Sequence, residues 1–171
     1  MPLIFLLILL ISDYPGISFS QEVLSDEDLM FLPGSWTGTL TYLDYTTGKP
    51  YSMPVDVGIV KIDSMKKYLL ERIYPDEPQA NSADTVTFSF DGTMINDETV
   101  ISKKYLQNDA VEFKTELDGV DGNESKPALI RHTYTLGEEI LIIRKDVKFE
   151  DQSDWINRHE FYFKRSDSVK K

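Results

Sequence analysis

His132, His159, Arg72 and Lys145 are the side chains of this sequence best suited to chemistry, because each falls within apolar residues that recur at every second position. His132 is in phase with Ile130, Tyr134 and Leu136, and His159 shares a face with Phe161 and Phe163. Lys145 lies between Ile143 and Val147, and Arg72 between Leu70 and Tyr74. A cation held unpaired in an apolar interior is destabilised by several kcal/mol, so each needs an acid, an ordered water or an anionic ligand. A fatty-acid-like carboxylate meets that need, with Tyr42, Tyr68 or Tyr134 adding a hydroxyl donor. The plainer alternative is a pair of hydrogen-bonded core histidines and an Arg72 turned outward to a surface acid such as Glu71. The phase of the segment from Tyr68 to Tyr74 is compatible with either face, because both Leu69 and Leu70 are apolar.

Other chemistries leave little trace. There is no Gly-x-Ser-x-Gly elbow, no His-Glu-x-x-His, no phosphate loop and no cysteine. The two histidines fall on strands separated by a third, roughly 10 Å apart across a sheet, too far for a shared zinc. The acidic stretch from Asp118 to Glu124 lacks EF-hand ligand spacing and reads as a solvated turn. No catalytic residue and no metal are assigned.

The elements that position these groups are short strands. Ser25-Asp26-Glu27-Asp28 caps a predicted helix of one to two turns through Leu32, which Pro33 and Gly34 stop. Trp36, Gly38, Leu40 and Tyr42 then take one face of a strand, with Thr37, Thr39 and Thr41 on the other. Met53, Val55, Val57 and Ile59 repeat the pattern after Gly48-Lys49-Pro50. Val86, Phe88 and Phe90 alternate with threonines and serine up to the hairpin signal Asp91-Gly92. A weaker stretch from Val100 to Tyr105 follows, then Val111 and Phe113, and strands over 128–136, 139–149 and 156–164. With no helical period in competition, the expected fold is all-β: an up-and-down antiparallel β-barrel of about 8 to 10 strands, closed by pairing the first with the last.

A short helix leading into Gly34-x-Trp36 at the mouth of the first barrel strand resembles the calycin superfamily of lipocalins, fatty-acid-binding proteins and nitrobindin-like haem proteins. The chain is similar in particular to exported bacterial lipocalin-like domains of unassigned function. The resemblance spans residues 24–165 as architecture and three residues as a motif. It implies that Trp36 closes the base of the barrel under a basic residue of the final strand, with Arg165 or Lys164 as the cover and Arg158 less well placed. Gly34, Trp36 and Arg165 then belong to barrel closure. The Gly-x-Trp-x-Gly pattern of nitrobindin-like barrels is matched by Gly34, Trp36 and Gly38 and raises haem, although neither histidine matches that family's ligand position. By analogy with calycin-type enzymes, Glu71, Arg72 and Tyr134 form a possible acid–base set in the cup.

Residues 1–20 carry an apolar run from Leu3 to Ile11, a turn at Asp13-Tyr14-Pro15-Gly16 and the small-x-small site Ser18-Phe19-Ser20, the layout of a signal peptide. The run is shorter than the about 20 residues a bilayer span needs. Residues 21–165 then form one barrel domain and 166–171 a flexible tail. The absence of cysteine in an exported domain of this size points to a bacterial envelope, periplasmic or extracellular. A net charge of −11 over 171 residues argues against nucleic acid and anionic membrane surfaces as partners. The sequence thus describes an exported lipocalin-like protein that binds a small, mainly apolar molecule, carboxylate-bearing in one version, without a cofactor. Its competitor is an interaction domain packed solid by Phe88, Phe90, Phe113, Phe161 and Phe163.

Overall fold

The computed structural model describes residues 22–44, 46–62 and 66–166; the signal-peptide assignment and positions 167–171 of the tail lie outside them. Ten antiparallel strands form one sheet: β1 (Gly34–Leu43), β2 (Pro50–Lys61), β3 (Lys67–Ile73), β4 (Ser82–Thr87), β5 (Met94–Ile95), β6 (Glu98–Tyr105), β7 (Val111–Asp121), β8 (Lys126–Leu136), β9 (Ile140–Phe149) and β10 (Ile156–Arg165). A 3₁₀ turn, Pro78–Ala80, joins β3 to β4. The strand order is β4-β3-β2-β1-β10-β9-β8-β7-β6-β5, so β1 and β10 lie side by side in mid-sheet. The two outer strands are consecutive in the chain and meet through a single bridge, Phe88 to Ile95, which leaves a nearly closed barrel.

Period-two alternation explains which face each strand buries. Trp36, Met53, Val55, Val57, Ile59, Tyr68, Leu70, Val111, Phe113, Leu136, Leu141 and Phe163 all point inward and share one core. A smaller cluster of Ala128, Ile130, Val147 and Phe149 fills the opposite end of β8 and β9.

Three sequence expectations are corrected. The capping pair forms, with Ser25 N–H donating to Asp28 Oδ2 at 2.7 Å and Asp28 N–H to Ser25 Oγ at 3.3 Å. No helix follows, however, because the chain makes a series of i to i+3 turns that drop Leu29 and Leu32 into the base of the barrel before Pro33. Phe90 is 73% exposed, since β4 ends at Thr87 and Asp91 organises a turn by accepting from Ser89 and Thr93. Finally, 118–121 is strand: β7 pairs with β8 as far as Asp121 with Lys126, and the turn is confined to 122–125.

The base is sealed by residues 22–33. Leu24 N–H donates to Gly92 O at 2.9 Å, and Lys103 Nζ donates to Val23 O at 2.7 Å and to Asp28 Oδ2 at 3.0 Å. Burial pushes the Asp28 carboxyl up, but hydrogen bonds from Ser25 and Lys103 outweigh it and hold the group below its usual range. Trp36 Nε1–H donates to Leu32 O at 3.2 Å. Arg165, opposite Trp36 across the β1–β10 pairing, stacks 4.0 Å from the indole centroid and donates to the carbonyls of Phe31, Pro33 and Glu138.

Candidate functional site

Strand register arranges the interior in transverse rungs. Nearest the base, Val55, Gly38, Phe163, Leu141, Leu136 and Val111 stand opposite one another in turn across β2, β1, β10, β9, β8 and β7. The next rung is Met53, Leu40, Phe161, Ile143, Tyr134 and Phe113. The third changes character to Tyr51, Tyr42, His159, Lys145, His132 and Thr115. An apolar cup is therefore capped by a polar belt two rungs above its floor.

Between them lies a cavity of about 210 Å³. Leu29 and Leu32 form its floor; Leu70, Val86, Phe88, Phe113, Ile143 and Phe161 contribute to its wall; and Arg72, Glu98, His132, Tyr134 and His159 supply its polar groups. Arg72, His132 and Tyr134 thus meet at one cavity. Tyr42, Tyr68 and Lys145 do not line it: Tyr42 packs on Tyr51 with centroids 5.5 Å apart, Tyr68 is buried edge-on against Phe88, and Lys145 bonds Asp121. Leu70 is buried and Ile73 exposed, so Arg72 is on the inward face of β3. Glu71, its neighbour on the opposite face, is exposed, and the set Glu71, Arg72 and Tyr134 is not assembled.

The acid that does reach the cavity is Glu98. It accepts from Thr115 Oγ1 and lies 2.8 Å from His132 Nδ1. Burial pushes the Glu98 carboxyl up, yet hydrogen bonds with His132 and Thr115, aided by the Lys145 charge, hold it below its ordinary range. Glu98 is therefore an ionised acceptor, and Nδ1 is the His132 nitrogen turned to it. Burial shifts His159 the other way, down to about 4, reinforced by His132, Lys145 and Arg72, so its imidazole is neutral at pH 7. Tyr134 is pushed far above the usual phenol range by burial and the Glu98 charge. Its ring stacks on Phe113 with centroids 4.8 Å apart.

The remaining charges are paired. Arg72 bonds Asp84 and lies 5.6 Å over Phe161. Lys145 Nζ and Arg158 Nε lie 2.7 Å and 2.9 Å from the two carboxylate oxygens of Asp121, which is buried and not part of a solvated turn. His132 and His159 are separated by β9, each opposite Lys145, and among the described residues no group of three or more His, Asp or Glu is placed to hold a metal ion. No described helix is long and apolar enough to cross a membrane.

No family model matches the sequence, and no curated protein does. Among solved structures, the fold is similar to the crystal structure of Rv2717c from M. tuberculosis, with a TM-score of 0.51 and 13% identity over 81% of this chain and 97% of that one. A protein of unknown function from the DUF3598 family of Nostoc punctiforme aligns with a TM-score of 0.34 and 13% identity, over 84% of this chain and 50% of its own. At this identity the first likeness speaks for a nearly closed antiparallel barrel and for nothing beyond the fold.

Proposed function

We propose that this chain is an exported, lipocalin-like barrel that reversibly binds a small neutral molecule with an apolar body and one polar group. The observation that carries this is the combination of an apolar cup with a polar belt whose charges are matched: Arg72 with Asp84, Lys145 and Arg158 with Asp121, Glu98 with His132 and Thr115. A ligand carboxylate entering that belt competes with acids already in place, whereas a neutral carbonyl or hydroxyl finds His159, His132 and Tyr134 as partners. The volume favours a body of about ten carbons, below the roughly 300–1,000 Å³ of pockets that hold drug-sized ligands. Burying ten such carbons gains roughly 8 kcal/mol at about 0.8 kcal/mol each, against at least about 4 kcal/mol of lost rigid-body freedom, so affinity of about millimolar is expected. Haem does not fit, because the porphyrin exceeds this volume. The signal-like layout of residues 1–20 supports export.

The test is an NMR titration of the mature chain with 2-naphthol and with 2-naphthoate, which share a ring system and differ in charge. Saturable shifts at the cup residues with 2-naphthol, and weaker binding of the carboxylate, are expected. Tighter binding of 2-naphthoate would establish an anion site at Arg72, and no saturable shift with either would establish a barrel without ligand.

A further inference from the structure

The pairing of Glu98 with His132 does more than neutralise a buried carboxylate. Glu98 comes from β6 and His132 from β8, with Thr115 of β7 between them, so three strands converge to orient one imidazole. Such an arrangement selects the tautomer of the neutral ring: with Nδ1–H donating 2.8 Å to the carboxylate, Nε2 is the nitrogen that can act as a base, on a ring that lines the cavity. A carboxylate behind an imidazole also stabilises the imidazolium that forms when Nε2 takes a proton. Two residues along the same face of β8 stands Tyr134, its ring centroid 6.2 Å from that of His132, also lining the cavity. Base and phenol thus face one cavity, and together they are the two groups that proton abstraction next to a carbonyl needs: an acceptor for the C–H proton and a neutral donor for the developing oxyanion.

We propose that the cup catalyses enolisation of a neutral ketone or aldehyde bearing a hydrogen next to its carbonyl, with His132 as the base and Tyr134 as the donor to the developing oxyanion. This rests on the proposed binding of a small neutral ligand in the same cavity. The C–H bond breaks, the proton passes to His132 Nε2, and the electron pair moves into the carbon–carbon double bond as charge shifts to oxygen, where the Tyr134 hydroxyl hydrogen-bonds it. Return of a proton from the imidazolium to the same carbon gives exchange; delivery to a different carbon of a conjugated substrate gives the double-bond isomer. No oxidant, metal or second substrate enters the balance. Burial keeps the phenol protonated, so it remains a donor throughout, as an oxyanion partner must. Glu98 is a positioning residue, acting through His132.

The test uses 1-tetralone as probe, with the mature chain in D₂O, following loss of the C2 proton signal by NMR. Saturable exchange above the buffer rate is expected, falling about 100-fold or more in His132→Gln and about 10-fold or more in Tyr134→Phe. Glu98→Gln lowers the rate at saturation while leaving the half-saturating probe concentration unchanged, a split that loss of packing alone does not produce. Probe binding without exchange in the wild-type chain overturns the catalytic proposal and leaves the binding one standing. Exchange retained in His132→Gln likewise overturns it. Absence of any 1-tetralone binding overturns both.

Discussion

Trp36 and Arg165 stand directly opposite each other on the two strands that join the start of the barrel to its end, with the guanidinium 4.0 Å from the indole centroid. The same guanidinium donates to the carbonyls of Phe31, Pro33 and Glu138, so one side chain ties β10 to the residues that seal the base and to the turn before β9. Gly34 makes room for it: a Cβ there would lie 2.4 Å from Arg165 Nη1, at a φ of +144°. Arg165→Met keeps the length of the stem but leaves carbonyls without their donor, and is expected to lower stability by about 1–3 kcal/mol. Urea unfolding of the two chains measures this, and an unchanged midpoint would contradict it.

The strap across the base offers a sharper comparison. Asp28 is 5% exposed, and Lys103 is its ion-pair partner at 3.0 Å. Lys103→Met strands a buried carboxylate and should cost about 3–5 kcal/mol, whereas the double variant with Asp28→Asn should recover a large part of that loss. Equal destabilisation in the single and double variants would show that the lysine acts through its stem alone.

His159 sets a pH dependence. Its folded-state value is depressed to about 4 from 6.5, chiefly by burial and then by His132, Lys145 and Arg72. Between those values the unfolded chain binds the proton and the folded chain does not, so stability is full above about 6.5 and falls as pH drops toward 4. The slope contributed by this one group is at most about 1.4 kcal/mol per pH unit. His159→Phe, which preserves a ring edge-on to Phe161, should remove that contribution while leaving stability at pH 7 within about 1.5 kcal/mol of the original. Denaturant midpoints at pH 5 and pH 7 decide the matter.

Filling the cup separates binding from folding. Val86 lies on the cavity wall and is only half-buried. Val86→Phe extends into the 210 Å³ space and is expected to weaken 2-naphthol binding about tenfold or more, with stability changed by less than about 1.5 kcal/mol. Undiminished binding in this variant would place the ligand elsewhere.

Much of this architecture was legible from alternation alone. Trp36 to Tyr42, Met53 to Ile59, Val111 to Phe113 and the last three strands display their buried faces openly, because each pairs an apolar row with a polar one. The inward phase of His132 and His159 could be read from the same rows. Arg72 could not be placed, since Leu69 and Leu70 are equally apolar and only pairing with β2 and β4 selects the face. Glu98 escaped notice because it opens β6 two residues ahead of the apolar stretch that begins at Val100, directly after Asn96 and Asp97, where an acid reads as part of a turn. Asp121 looked like turn material beside Gly122; what draws it inside is a pair of cations from β9 and β10, distant in sequence. Phe90 continued a perfect pattern, but the Asp91 turn ended the strand before it.

Apart from β1 with β10, every pair of neighbours in the sheet joins strands adjacent along the chain. The stretch from Trp36 opposite Arg165 to Tyr42 opposite His159 is thus the one zipper that must wait for more than a hundred intervening residues to be brought together, and it sets the entropic toll on the folding rate. Ser166 N–H already donates to Ser35 O at 2.9 Å. A circular permutant in which a linker joins Ser166 to Glu22, with new termini opened at the 122–125 turn, would keep the residues that seal the base, bring the two halves of that zipper close along the chain and make the β7–β8 pairing the long-range step instead. The order in which the barrel assembles is therefore a matter of where the chain is cut, while the cup it encloses is not.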